Sequence, residues 1–180
     1  MNPIPPIAYT LSPEYHALAI AGRLPAEPTR AHPYDAGIDL WCVRYDGDTI
    51  DSDAGRIAGE RSKAPVYLEP GKQLVIETGL ALVIPKGWVG LVKDRSSVAK
   101  TGLHVIGGVV DCGYRGTIKV LLTNVSNRSV DVQYIVFQHK ACAQLVIVPC
   151  AINPLVQVES LDETDRGAGG FGSSDKEQPK

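Results

Sequence analysis

Apolar residues along this chain recur at alternate positions more often than at helical spacing. Ile118, Val120 and Leu122 alternate with Thr117, Lys119 and Thr123, the period of a half-buried strand. Leu74–Ile76 and Leu80–Ile84 flank Thr78-Gly79, and Pro85-Lys86-Gly87 turns the chain into Trp88–Val92. Val130–Phe137 and Cys142–Val148 are two more runs that read as strands. Turn signals return about every 8 to 12 residues, the spacing of a sandwich or barrel. Helix signals are few. Ser12-Pro13-Glu14 predicts a short helix to Ala19, with Ser12 as N-cap, Pro13 in the first turn and Gly22 as the stop. A second short helix is predicted from Arg95 to Thr101, closed by Gly102, with a Ser or Asp as its cap.

Composition supports the all-β reading. The 180 residues suit one domain, and Gly (18) and Pro (13) favour many short segments joined by turns. Residues 44–64, charged and holding Gly47, Gly55 and Gly59, read as a surface-loop insertion. The expected division is a single domain over 1–161 and a polar, Gly-rich, flexible arm over 162–180. The net charge of −2 gives no reason to expect a nucleic-acid or membrane partner. Cys42, Cys112, Cys142 and Cys150 form no CxxC and read as small core residues in a reducing cytoplasm. With no signal peptide or apolar span in the sequence, the expectation is a soluble cytoplasmic protein.

Several segments carry candidate chemistry. In Arg166-Gly-Ala-Gly-Gly-Phe-Gly-Ser-Ser174, glycines free the backbone amides to converge on an anion. Arg166, Ser173 and Ser174 add donors for phosphate oxygens, and Phe171 is a lone apolar plate for a planar base. A flexible Gly/Ser tail is the plainer alternative. Gly167, Gly169 and Gly172 match GxGxxG by spacing, but no strand precedes them and too little chain follows for a dinucleotide fold. In Asp94-Arg95-Ser96-Ser97 a helix start offers amides, with Arg95 beside them as a phosphate or carboxylate clamp; ordinary capping is the alternative. Asp111 interrupts the apolar run of Gly107–Gly116, where a carboxylate is a general-base candidate unless it only caps the Cys112-Gly113 turn. Asp39 poses the same choice. The four histidines show no zinc-ligand spacing, so any metal should be a hard cation brought by phosphates.

In this order the segments resemble the five motifs of the trimeric dUTPases: Ala36-Gly-Ile-Asp39-Leu, Arg95-Ser-Ser-Val-Ala99, Gly108-Val-Val-Asp111-Cys-Gly-Tyr114-Arg-Gly116, Ala143-Gln144-Leu145 and Arg166–Ser174. The resemblance implies a jelly-roll-like β-barrel with at most one or two short helices, a homotrimer with shared sites, and hydrolysis of dUTP to dUMP and pyrophosphate with Mg2+. By motif, Asp111 deprotonates the water that attacks the α-phosphorus, and Tyr114 packs under the deoxyribose and leaves no room for a 2′-OH. The backbone from Gly108 to Val110 reads uracil, and Arg95, Ser96, Ser97 and Gln144 bind phosphates. Asp39 holds Mg2+ through water. Phe171 covers the uracil, Arg166 meets the γ-phosphate, and Gly172, Ser173 and Ser174 complete the lid.

Gly113 stands where the third motif often has a second Asp, and His139 and Ala141 replace the glycine and basic residue usual in the fourth. Two other readings share the fold. The dCTP deaminases resemble the second and third motifs, but the Glu they carry ten residues after the motif Asp is Leu121 here. A nucleotide-switched regulatory protein would use residues 44–64 as its contact with a protein partner.

Overall fold

The computed structural model describes residues 6–47, 66–138 and 140–169. Their order is β1 (Ala8–Leu11), α1 (Pro13–Ile20), β2 (Ile38–Leu40), β3 (Arg44–Gly47), β4 (Tyr67–Leu68), β5 (Gln73–Glu77), β6 (Leu80–Val83) and β7 (Trp88–Asp94). There follow α2 (Ser96–Ala99), β8 (Leu103–Val105), β9 (Val109–Val110), β10 (Lys119–Asn124), β11 (Val130–Asp131), α3 (Gln133–Val136) and β12 (Ala143–Pro149).

Two four-stranded antiparallel sheets, ordered β3-β5-β10-β8 and β2-β12-β7-β9, carry the fold; β1-β6 and β11-β4 form two-stranded ladders. The expected all-β, jelly-roll-like architecture is present, although the ladders among the described residues close no barrel. Alternation decides what is buried. Leu74 and Ile76 of β5, Val120 and Leu122 of β10 and Leu145 of β12 are fully buried, while their neighbours along the strands are not. Residues of both large sheets join one apolar cluster, each fully buried Leu, Ile or Val side chain contributing about 1.5–3 kcal/mol.

The first helix forms as the sequence predicts: Ser12 Oγ accepts the Tyr15 amide at 3.2 Å, and Gly22 lies beyond the end with φ +70°. The second is shorter than predicted, and its N-cap is Arg95, which makes no side-chain capping bond. Gly102 leaves it at φ +95°. A third helix corrects the reading of Val130–Phe137 as a strand. Only Val130–Asp131 pair, after which Asp131 Oδ1 accepts the Gln133 amide at 2.8 Å and the chain coils. Val132, Ile135 and Val136 are all fully buried, a helical i, i+3, i+4 set written in β-branched residues.

All four cysteines are free, but only Cys42 and Cys142 are buried; Cys112 and Cys150 are half-exposed. After β12 the described chain has no helix or strand, and Ile152, Leu155, Val156, Val158 and Leu161 lie exposed. No helix among the described residues is long and apolar enough to cross a membrane.

Candidate active site

The sheet β2-β12-β7-β9 brings distant segments together by register. Gln144 stands opposite Asp39 on β2 and opposite Lys93 on β7, so residues far apart in sequence share one face. One step past β7, Arg95 opens α2 with Ser96 and Ser97. The result is a polar cleft of about 290 Å³ lined by Asp39, Arg95, Ser96, Ser97 and Gln144, with the loop Asp35–Gly37 closing one side.

Contacts fix these side chains before any ligand arrives. Arg95 Nε pairs with Asp39 Oδ1 at 3.0 Å, and Arg95 Nη1 donates to the Ala141 carbonyl at 3.3 Å. Gln144 Nε2 donates to the Asp94 carbonyl at 2.8 Å. The loop is held by Arg30, whose Nη1 donates to the carbonyls of Asp35, at 2.7 Å, and Ala36. Asp35 Oδ2 accepts the His32 amide at 3.0 Å. A Cβ at Gly37 would overlap Gln144 Oε1, so the bare glycine backbone leaves the Gln144 amide its place.

A second cleft of about 240 Å³ lies on the β9 side of the same sheet, lined by Gly108, Val109, Val110, Asp111, Tyr114, Ile118 and Lys119. Gly108 has φ +93°, and a Cβ there would sit 2.9 Å from the Val92 carbonyl oxygen, so only glycine lets the chain approach β7. The Val92 amide donates to the Gly108 carbonyl at 2.8 Å, which seats the following strand against β7. Asp111 follows that strand, exposed, and its carbonyl accepts the Tyr114 amide at 3.0 Å. Tyr114 Oη donates to the Thr117 carbonyl at 3.0 Å, which lays the ring over Gly116. Arg115 Nη1 ties the turn by donating to the Cys112 and Tyr114 carbonyls, each at 2.8 Å.

The structure therefore assembles the sequence-predicted residues in two groups. Asp39, Arg95, Ser96, Ser97 and Gln144 line one cleft, and Gly108, Val110, Asp111 and Tyr114 line the other. Arg166 lines neither; its Nε donates to the Gly169 carbonyl at 3.1 Å in an exposed turn. Phe171, Gly172, Ser173 and Ser174 lie outside the described residues, as does residues 48–64 of the expected insertion. Sequence reasoning missed Gly37 and Gly116 as shaping residues, Lys119 as a lining residue, and Arg30 as the loop's anchor. Only the neighbours each position meets in three dimensions could have marked them.

Buried thiols offer no alternative nucleophile. Burial pushes Cys142 up to about 12 and Cys42 well above the ordinary thiol value, with the neighbouring Cys142 adding to the latter. Among the described residues no three His, Cys, Asp or Glu side chains converge as a metal cage. Asp39 lines the polar cleft and has a second carboxylate oxygen beside the one paired with Arg95, so it would hold a hydrated hard cation there through water.

A model of the dUTPase family matches residues 61–175. The deoxyuridine 5'-triphosphate nucleotidohydrolase of Nocardia farcinica is 42% identical over 151 residues, which cover 82% of this chain and 77% of that protein. The protein of the same name from Rhodococcus erythropolis is 39% identical over the same shares. Among solved structures, the dUTPase of Staphylococcus bacteriophage 80alpha with dUpNHpp matches with a TM-score of 0.67 and 26% identity, covering 95% of this chain and 99% of that one. A dUTPase of S. aureus phage phi11, described for its coordination of a structural Mg(II) ion, matches at 0.60 and 26%, covering 88% and 100%. With its ordered motifs set on this shared fold and about two-fifths of the residues aligned with a named relative identical, the chain belongs to the dUTPase family.

Proposed function

We propose that this protein hydrolyses dUTP to dUMP and pyrophosphate at a site completed between subunits, the cleft around Arg95 taking the phosphates and the cleft around Asp111 taking the nucleoside. The observation that carries the reading is the convergence of Asp39, Arg95, Ser96, Ser97 and Gln144, from two strands and a helix start, on one polar cleft. Arg95 and the serine hydroxyls offer charge-assisted and neutral donors to phosphate oxygens. Membership of the family and a nucleotide analogue bound to a relative on the same fold support the substrate class.

In the other cleft the hairpin backbone at Gly108 and Val110 presents peptide groups to the edge of a base. The Tyr114 ring, pinned by its hydroxyl, forms a flat floor for a sugar and leaves no room for a 2′-OH. Asp111 at the cleft's mouth takes the proton of the attacking water. The water oxygen bonds to the α-phosphorus, the bond from that phosphorus to the α–β bridging oxygen breaks, and pyrophosphate leaves with those electrons. Mg2+, when bound on the triphosphate, neutralises phosphate charge, and Asp39 would hold it through water. Arg166 and the glycines after it close over the γ-phosphate, with Phe171 on the base. Such chemistry depends on positioning and charge neutralisation more than on covalent help.

The reading includes a homotrimer in which the Arg95 cleft of one copy faces the Asp111 cleft of another; that the two clefts share no lining residue is compatible with this division. The exposed apolar side chains of Ile152, Leu155, Val156 and Leu161 give such an assembly surface to bury. Pyrophosphate release from dUTP, compared with dCTP, dTTP and UTP, tests the activity. Release from dUTP in strong preference is expected; ammonia from dCTP, or no release from dUTP, contradicts it.

A further inference from the structure

Asp94, the last residue of β7, has no part in the chemistry above, yet three strands meet on it. Its Oδ1 accepts the Val105 amide of β8 at 2.6 Å, and its Oδ2 faces His104 Nδ1 at 2.5 Å. Its carbonyl accepts Gln144 Nε2 of β12 at 2.8 Å, and its next residue is Arg95. The carboxylate thus fastens β8 to the end of β7 while the same residue's backbone holds the amide of a cleft side chain.

The Asp94 side chain is 20% exposed and lines neither cleft, so it does not touch a ligand there. A carboxylate with two short polar contacts has little freedom to turn, and the peptide that leads into Arg95 is fixed with it. Loss of those contacts frees the corner on which Arg95, Ser96 and Gln144 depend. It leaves Asp111 and Tyr114, which follow β9 at the edge of the sheet and share no contact with the Asp94 carboxylate, where they are.

We propose that Asp94, clamped by His104 and Val105, is a positioning residue that sets the affinity of the Arg95–Gln144 cleft for phosphates without entering the chemical step. The proposal rests on the phosphate reading of that cleft. Its signature is a split: binding of the triphosphate and of the pyrophosphate product weakens together, while turnover at saturation holds.

Asp94→Ala removes both side-chain contacts. It is expected to raise the KM for dUTP and the inhibition constant of pyrophosphate together by about tenfold, with kcat within about twofold. Asp94→Asn keeps an acceptor for the Val105 amide and a polar partner for His104, and is expected to recover most of the loss. Unchanged KM and inhibition constant in folded Asp94→Ala overturn the proposal, as does Asp94→Asn impaired as fully as Asp94→Ala. Should Asp94→Ala fail to fold, His104→Ala, which removes one largely exposed partner, carries the test. A rise of about twofold to threefold in both constants supports the clamp, and wild-type constants overturn it. Absence of dUTP turnover in the unaltered protein would instead overturn the reading of the cleft itself.

Discussion

Gly37 and Gln144 occupy space that only one of them can fill: any side chain at 37 would overlap Gln144 Oε1. The Gln144 amide is thereby held from two sides, by the bare backbone of one loop and by the Asp94 carbonyl. Gly37 has no positive φ, so alanine suits its backbone and the whole effect of a substitution falls on Gln144. Gly37→Ala should lower kcat/KM for dUTP by about tenfold, through a hydrogen-bonding side chain driven from its seat. Steady-state pyrophosphate release measures this, with circular dichroism to verify the fold.

Arg95 bridges the Asp39 carboxylate and the Ala141 carbonyl through different nitrogens of its guanidinium. A lysine keeps the charge but not the planar fork. Arg95→Lys should therefore weaken dUTP binding by about tenfold to a hundredfold, read as KM and as the affinity for a non-hydrolysable analogue. An unchanged affinity would mean that charge alone suffices in this cleft.

Gly116 makes room for the Tyr114 ring, since a Cβ there would lie 2.5 Å from its hydroxyl oxygen. Gly116→Ala should tilt the ring, break its bond to the Thr117 carbonyl and open space beside the sugar. The preference for dUTP over UTP, measured as a ratio of kcat/KM values, should fall by about tenfold or more while the fold persists.

Burial raises Tyr15 and Cys142 to about 12 and Cys42 in the same direction, so each favours its neutral form in the folded state. The unfolded chain loses these protons first, thiols from about 9 and the phenol from about 10. Between those values and the folded ones the unfolded state binds fewer protons, and stability falls as pH rises. Urea midpoints should be flat across neutral pH and decline above about pH 9. A Cys142→Ser variant that declines as steeply as the parent would contradict the thiol share.

Much of this was legible in the chain. Alternation at Ile118–Thr123 announces β10, and Asp39, Arg95, Asp111 and Gln144 stand out by type and order. α3 was hidden because Val132, Ile135 and Val136 combine strand-favouring side chains with helical spacing, and only the core they fill separates the two. The Arg95 cap was hidden because its guanidinium is taken by Asp39, which lies 56 residues away in sequence. Gly37 and Asp94 act through residues of distant strands, whose register is not a local property of sequence, and Gly116 through the folded-back ring of Tyr114.

The shared site is tested most directly by mixing two crippled proteins. Asp111→Asn spoils the nucleoside cleft, and Arg95→Ala spoils the phosphate cleft; each alone should be nearly inactive on dUTP. Unfolded together in equal amounts and refolded, they should regain about a quarter of wild-type pyrophosphate release, because random assembly pairs an intact half of each kind about that often. A mixture no more active than its components would contradict a site built from two copies of the chain.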